Sequence, residues 1–354
     1  MRETDVDEIR ERFKALKVSV LPDVFLDRIV SVGPLDRFYS LAKEKIVAGG
    51  GSIRGFTERD VVGGNAINIG KVMASLGAKV NLIVVADGLS EVVLQRLFSP
   101  YSNVVITIID GRPGYTVALE FEERGRCANV MISDVGDVEN WDGEKISDDS
   151  LNIIADSDAV VVTNWSSNNS GTKLATKVFS LPKRSKRLAF LDLADPSDAI
   201  DRFPELLDEV IRKGLLDALS LNENEMRVIS RLLGTDILPE KYNLRDVVRV
   251  ADGLARVMNL SIEGHVPQGA CSVNGNESES AEAFVVEPNI LTGAGDSWNA
   301  ADILATISGF HRRDRIIFAN ACSATYISGK EAKPPSLESI MSFLSSRGVE
   351  LHSV

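Results

Sequence analysis

Apolar residues along the chain follow two alternating rhythms. Short runs rich in Val, Ile and Leu predict strands at Val18–Leu21, Phe25–Val32, Val80–Ala86, Val104–Ile109, Ala159–Thr163, Arg187–Asp192 and Ala218–Leu221. Apolar positions three and four apart predict helices at Asp5–Leu16, Ser90–Phe98, Leu151–Ala155, Thr172–Phe179, Phe203–Gly214, Met226–Leu233 and Leu244–Met258. The run from Asn65, with Ile69, Val72, Met73 and Leu76 recurring and Gly77 as a stop, predicts another. Short strands at Leu260–Ile262 and Ala270–Val273 follow. An extended Phe284–Val286 and helices at Ser297–Ile307, Asp314–Ser328 and Leu337–Ser346 complete the chain. Strands joined through helices imply an α/β fold: a doubly wound, mostly parallel sheet with helices on both faces. Ligands in such folds bind at the carboxyl ends of the strands.

Two stretches break the rhythm. Leu35–Asp60 is polar, carries Gly49-Gly50-Gly51, and reads as irregular. Thr116–Phe121 and Ala128–Ile132 flank the charged turn Glu122–Arg126 and predict a β-hairpin without a helix of its own. Residues 33–56 and 107–135 therefore predict a small β-rich lid. The main α/β domain would comprise residues 1–32, 57–106 and 136–354.

Composition narrows the function classes. A net charge of −12 over 354 residues argues against a nucleic-acid or anionic-membrane surface. No apolar run approaches ~20 residues, so no membrane span is expected. The charged segment Met1–Lys17 is no secretory signal, which points to the cytoplasm. Cys127, Cys271 and Cys322 lie far apart without a CxxC pair, as suits a reducing compartment. His265, His311 and His352 form neither a zinc pattern nor the histidine of a Ser–His–Asp triad.

Candidate chemistry centres on Thr292-Gly293-Ala294-Gly295-Asp296, where an extended segment turns on two glycines into a helix. Helix-start amides lack internal partners, and glycines let them approach an anion closely. Asp296 on the same turn suits removal of a proton from an attacking hydroxyl during phosphoryl transfer. Gly63-Gly64, with Asn68 on the following helical turn, is a second such turn. Asp27 falls where a strand leaves the sheet and can accept two hydroxyls of a polyol. Asn222 and Glu225, at a later strand end, suit outer-shell support of hydrated Mg²⁺. Each has an ordinary reading too: Asp296 as a cap, Asp27 as a solvated turn residue, Asn222–Glu225 as a capping box.

In this order the three motifs resemble the ribokinase/PfkB family of carbohydrate and nucleoside kinases, over most of the chain. GGNAINIGKVMASLG (Gly63–Gly77) is similar to the family's first signature, and TGAGDSWNAAD (Thr292–Asp302) to its second. The resemblance implies a doubly wound domain with a β lid, and a kinase using ATP or ADP with Mg²⁺. Its acceptor would be a sugar, sugar phosphate or nucleoside. Asp296 would be the general base, and the Gly293, Ala294 and Gly295 amides the anion hole. Asp27, Gly63, Gly64 and Asn68 would hold the acceptor, with Asn164 between acceptor and donor. Asn222 and Glu225 would organise Mg²⁺ through water. Thr292 and Asn320 would lie on the nucleotide side. A homodimer through the lids is implied as well. Ile290 stands where the family carries an acid, Trp298 where Phe is usual, and Asn65 where ribokinases carry Lys. Arg54, flanked by Lys43 and Lys45 and with Arg112, Arg124 and Arg126 near the hairpin, is a candidate for an acceptor phosphate. Two other classes compete: an inactive nucleotide- or sugar-binding regulator on the same fold, and a Rossmann dehydrogenase. The dehydrogenase lacks its Gly-x-Gly-x-x-Gly after the first strand, and no P-loop pattern occurs either.

Overall fold

The computed structural model describes residues 3–123, 126–182, 187–290 and 292–352. The chain opens with α1 (Glu3–Ala15), β1 (Lys17–Leu21), β2 (Phe25–Gly33), α2 (Leu35–Val47), β3 (Thr57–Gly63), α3 (Asn65–Ser75) and β4 (Lys79–Ala86). It continues through α4 (Gly88–Phe98), β5 (Val104–Asp110), β6 (Gly114–Glu123), β7 (Arg126–Asp134), α5 (Asp148–Ala155), β8 (Ala159–Val162), α6 (Gly171–Phe179) and β9 (Leu188–Asp192). The rest comprises α7 (Phe203–Leu206), β10 (Ala218–Leu221), α8 (Glu223–Leu233), α9 (Leu244–Met258), β11 (Ser261–Val266), β12 (Gly269–Val273) and β13 (Ser278–Glu282). Helices α10 (Ala294–Ile307), α11 (Arg312–Ser328) and α12 (Leu337–Ser346) close it.

The main sheet is nine-stranded in the order β13-β12-β11-β10-β9-β8-β1-β4-β5, parallel from β11 to β5, with β12 and β13 antiparallel. Alternation along its strands feeds two cores. Leu82 and Val84 pack on one face with α1, α3, α10, α11 and α12. Ile83 and Val85 pack on the other with α5, α6, α8 and α9. This is the doubly wound sheet expected, with a second, smaller sheet beside it.

That second sheet has the order β3-β2-β6-β7. It includes β2 and β3, which the sequence reading left with the main domain. The local pattern of Phe25–Val32 says that it is a strand and not which sheet it joins, and Thr57–Asp60 of β3, polar in sequence, reads as irregular. Leu35–Val47, read as irregular, is helix α2. It buries none of its own residues and rests on the sheet through Phe38 against Phe121, ring centroids 5.8 Å apart. The hairpin of β6 and β7 forms as expected, its tip at 124–125 lying outside the described residues. Phe284–Val286 is not a strand; the extended segment before the glycine turn is β13, whose polar Ser-Glu-Ser-Ala-Glu sits at the sheet's edge. Predicted helix Phe203–Gly214 is a short α turn followed by a π turn, Leu207–Ile211.

Helix α10 is buried from Asp296 through Ala305. Arg315 of α11 ties it down, reaching Glu263 of β11 at 2.8 Å and Asp302 of α10 at 3.5 Å. All three are buried, and burial pushes the Asp302 carboxyl up to about 7. Removing one member of such a cluster leaves the others uncompensated, at a cost of about 3–5 kcal/mol.

Candidate active site

The two glycine turns meet. Asn68, on the first turn of α3, donates its amide to Asp296 Oδ2 at 2.8 Å. Residues 228 positions apart in sequence thus share one hydrogen bond at the carboxyl end of the main sheet. Asp296 is 8% exposed and lies on the first turn of α10.

Gly293 caps α10 with φ 85°, in the left-handed region that favours glycine. The first intrahelical bond runs from the Ser297 amide to the Gly293 carbonyl at 3.0 Å. The amides of Ala294, Gly295 and Asp296 therefore lack partners within the helix. Their direction is fixed from behind. Ser297 and Ser323 hydroxyls donate to the Ala294 carbonyl at 2.8 and 3.1 Å. Tyr326 donates to the Thr292 carbonyl at 3.3 Å. Across a trans peptide the N–H points opposite the C=O, so these contacts aim the Gly295 and Gly293 amides away from α11. A Cβ at Gly293 would come within 2.8 Å of the Tyr326 hydroxyl. Leu291, just before this turn, lies outside the described residues.

At the start of α3, Asp23 accepts the Asn65 and Ala66 amides at 2.7 and 3.2 Å. Thr163 donates to it at 2.5 Å and Asn164 at 3.4 Å. Asp23 is thus committed to the protein, which leaves Asp27 as the half-buried carboxylate able to meet a ligand. Gly63 makes room for Asp27: a Cβ there would lie 2.2 Å from Asp27 Oδ2. At Gly64, φ 103°, a Cβ would lie 2.8 Å from the Asp23 carbonyl oxygen.

Acidic groups crowd this end of the sheet. Burial pushes the Asp296 carboxyl well above the usual range; Asp192 and Asp23 add to this, and the Asn68 amide opposes it. Burial also carries Asp192 to about 6, with Asp23 adding and hydrogen bonds from Ala194, Asn299 and Asn65 opposing. Glu225 stands well above its ordinary value through burial and then Asp192. Asp27 is raised by burial, with Asp23 adding and Thr116 opposing. Such a ring favours proton acceptance at Asp296 and leaves negative charge for a cation to offset.

Asn222 and Glu225 form the capping box of α8. Asn222 Oδ1 accepts the Asn224 and Glu225 amides, and Glu225 accepts the Asn222 amide and side chain at 2.8 and 2.6 Å. The ordinary reading of this pair is realised. The raised Glu225 carboxyl beside Asp192 still suits a nearby cation. Among the described residues no cluster of three or more metal-ligating side chains forms. Mg²⁺ that keeps its waters and arrives on phosphates needs no such cage.

Asn320 sits apart from this convergence. Its Oδ1 accepts Trp298 Nε1 at 2.8 Å, and its Nδ2 donates to the Ala281 and Glu282 carbonyls at 3.2 and 3.1 Å. It braces α10, α11 and β13: both amide protons are used, and Oδ1 keeps one lone pair. Arg54 is exposed in the segment between α2 and β3, and no ion pair engages it among the described residues. Lys45 pairs with Glu44 at 2.8 Å, and Arg112 with Asp134. Lys43 is exposed, and the Arg124 and Arg126 side chains lie outside the description.

Sequence assigned no site role to Asp23, Ser323 and Tyr326, whose contacts join distant elements. Ser220 and Asn299 went unremarked, and His265 was considered only as a zinc or triad residue. Asn299 alone left a local trace, one turn after Asp296 on a helix face already marked.

The sequence profile described as pfkB family carbohydrate kinase matches residues 26–339. No curated protein sequence matches the chain. Ribokinase from Thermotoga maritima superposes with a TM-score of 0.71 at 19% identity, covering 93% of this chain and 99% of that one. Ribokinase from Arabidopsis thaliana, complexed with ribose and ATP, gives 0.69 at 18%, covering 93% and 98%. Adenosine kinase from Sinorhizobium meliloti gives 0.68 at 19%, covering 94% and 98%. At these identities the likeness is one of fold.

Proposed function

The chain belongs to the pfkB family of carbohydrate kinases, and on that premise we propose that it moves a phosphoryl group from ATP or ADP to a hydroxyl of a sugar, sugar phosphate or nucleoside. One observation carries the site assignment: the 2.8 Å bond from Asn68 to Asp296 joins both glycine turns at one point. Asn68 occupies Oδ2, leaving Oδ1 to take the acceptor's proton. A base works best with a pKa near the working pH, and burial moves Asp296 in that direction. The Gly293, Ala294 and Gly295 amides stabilise the charge developing on the transferred group. Thr292 stands beside them.

Asp27, Gly63, Gly64 and Asn68 form the acceptor side, with Asn164 reaching toward it through Asp23. Asn222 and Glu225 support Mg²⁺ through water; when bound, the ion neutralises phosphate charge. The second sheet acts as a lid, and Asp27 of β2 rides on it. Tyr115, Val117, Val130 and Ile132 are exposed on the sheet face opposite Asp27, apolar surface that suits a homodimer through the lids. An inactive regulator on the same fold would have no use for an intact base beside an open anion hole.

The test is phosphoryl transfer from ATP or ADP with Mg²⁺ to a panel of ribose, hexoses, their phosphates and nucleosides. Product with at least one acceptor, abolished by a chelator, is expected. Nucleotide binding without transfer to any of them would favour the regulator. Arg54 sorts the acceptors further. Charge reversal, Arg54→Glu, should raise the Michaelis constant of a phosphorylated acceptor about tenfold, a contact worth ~1.4 kcal/mol. It should leave a neutral sugar unaffected. An unchanged constant for the phosphorylated acceptor removes Arg54 from the site.

A further inference from the structure

A chain of hydrogen bonds crosses three adjacent strand ends beneath α10. Asp192 ends β9, Ser220 lies beside it on β10, and His265 is on β11. Asn299 of α10 bridges the first two. Its Nδ2 lies 2.6 Å from Asp192 Oδ2 and its Oδ1 lies 2.7 Å from Ser220 Oγ. Ser220 Oγ in turn lies 3.1 Å from His265 Nε2.

The donors can be assigned by elimination. A carboxylate only accepts, so Asn299 presents its NH₂ to Asp192. Its carbonyl then faces Ser220 and can only accept, which uses the single hydroxyl proton. Ser220 Oγ must therefore accept from His265, and the imidazole carries its proton on Nε2. Every bond runs one way, from ring to carboxylate.

The ring's Cε1 corner meets the anion turn. A Cβ at Gly295 would lie 3.0 Å from His265 Cε1 and 3.7 Å from each ring nitrogen. Trp298 packs on the ring, centroids 5.3 Å apart. His265 is half-buried, and burial pushes its pKa down to about 4, so the ring is neutral near pH 7. A neutral ring keeps a rigid wall against Gly295 without bringing a counter-charge to Asp296.

We propose that His265 is a positioning residue: the chain through Ser220 and Asn299 to Asp192 locks its ring as the Nε2–H tautomer against Gly295, holding that amide on the transferring phosphoryl group. This rests on the kinase reading above. The restraint matters where charge develops, so it is expected in kcat rather than in ground-state binding.

Two measurements test it. Nitrogen-15 NMR of the imidazole in the wild-type protein at pH 7.5 should show the Nε2–H form. Ser220→Ala should mix the tautomers and lower kcat about tenfold, less than outright loss of an oxyanion donor, with both Michaelis constants within about twofold. Ser220→Thr, which keeps the hydroxyl, should restore both signals. An Nδ1–H ring in the wild type overturns the chain. A Ser220→Ala protein with mixed tautomers but full kcat overturns the positioning role. The ring spectrum needs neither a variant nor substrate. Absence of transfer in the wild type would therefore defeat the kinase reading while the spectrum still decides the chain.

Discussion

Asp296→Asn is expected to lower kcat by about 10²–10⁴, the range for loss of a positioned general base, while nucleotide affinity stays near wild type. The amide keeps the shape and can still accept from Asn68, so only proton removal is lost. The same variant should melt higher than wild type at pH 8 without ligand. The folded Asp296 carboxyl sits well above its ordinary value. Folding therefore binds protons there, and stability falls as pH rises through the folded pKa. Asparagine removes that penalty, so the gain is larger at pH 8 and fades on acidification. Steady-state kinetics and thermal melts at pH 8 and pH 5 check both halves. Wild-type turnover in Asp296→Asn would remove the base assignment, and no gain at pH 8 would contradict the buried, repelled carboxylate.

Gly63→Ala should separate acceptor binding from folding. The new methyl would meet a carboxylate oxygen at 2.2 Å. A carboxylate at the end of a side chain can rotate away, so the fold tolerates the change. Asp27 then no longer faces the acceptor. Two hydrogen bonds from a charged group, at about 1.5 kcal/mol each, correspond to a fall in acceptor kcat/KM of roughly 100-fold. The nucleotide constant should not move. Gly64→Ala is the contrast: its methyl would meet backbone at 2.8 Å in a left-handed conformation. It should cost stability, about 1–3 kcal/mol. Equal acceptor constants in wild type and Gly63→Ala would exclude Asp27 from acceptor binding.

The glycine turns, Asp296, Asn68 and the parallel strands were legible because their signals are local. Gly63-Gly64 and Gly293-Gly295 announce tight turns within a few residues, and Val80–Ala86 announces a buried strand by composition. Pairing between distant segments was not legible. Nothing in Phe25–Gly33 tells which sheet it joins, and polar Thr57–Asp60 reads as irregular, so two of the smaller sheet's four strands were placed with the main domain. Ser278–Glu282 is a strand made of residues that disfavour strands, held at an edge by its partner β12. Leu35–Val47 does carry apolar Leu35, Phe38, Leu41 and Ala42 at helical spacing, but that face is only half-covered, and the polar run leading to Gly49-Gly50-Gly51 masked it. Asn320 shows the same limit at the site. An amide in an apolar helix advertises a polar contact, and only the structure shows that Trp298 and two backbone carbonyls are its partners.

Asp27 stands on β2 of the smaller sheet and Asp296 on α10, which packs on the main one. On the proposed chemistry, capture of the acceptor and assembly of the reaction centre are then a single event. On that reading, nucleotide without acceptor has no contact to Asp27, so water reaching the bound phosphates would meet an unfinished machine. Idle hydrolysis should accordingly run far slower than transfer, with no separate safeguard required.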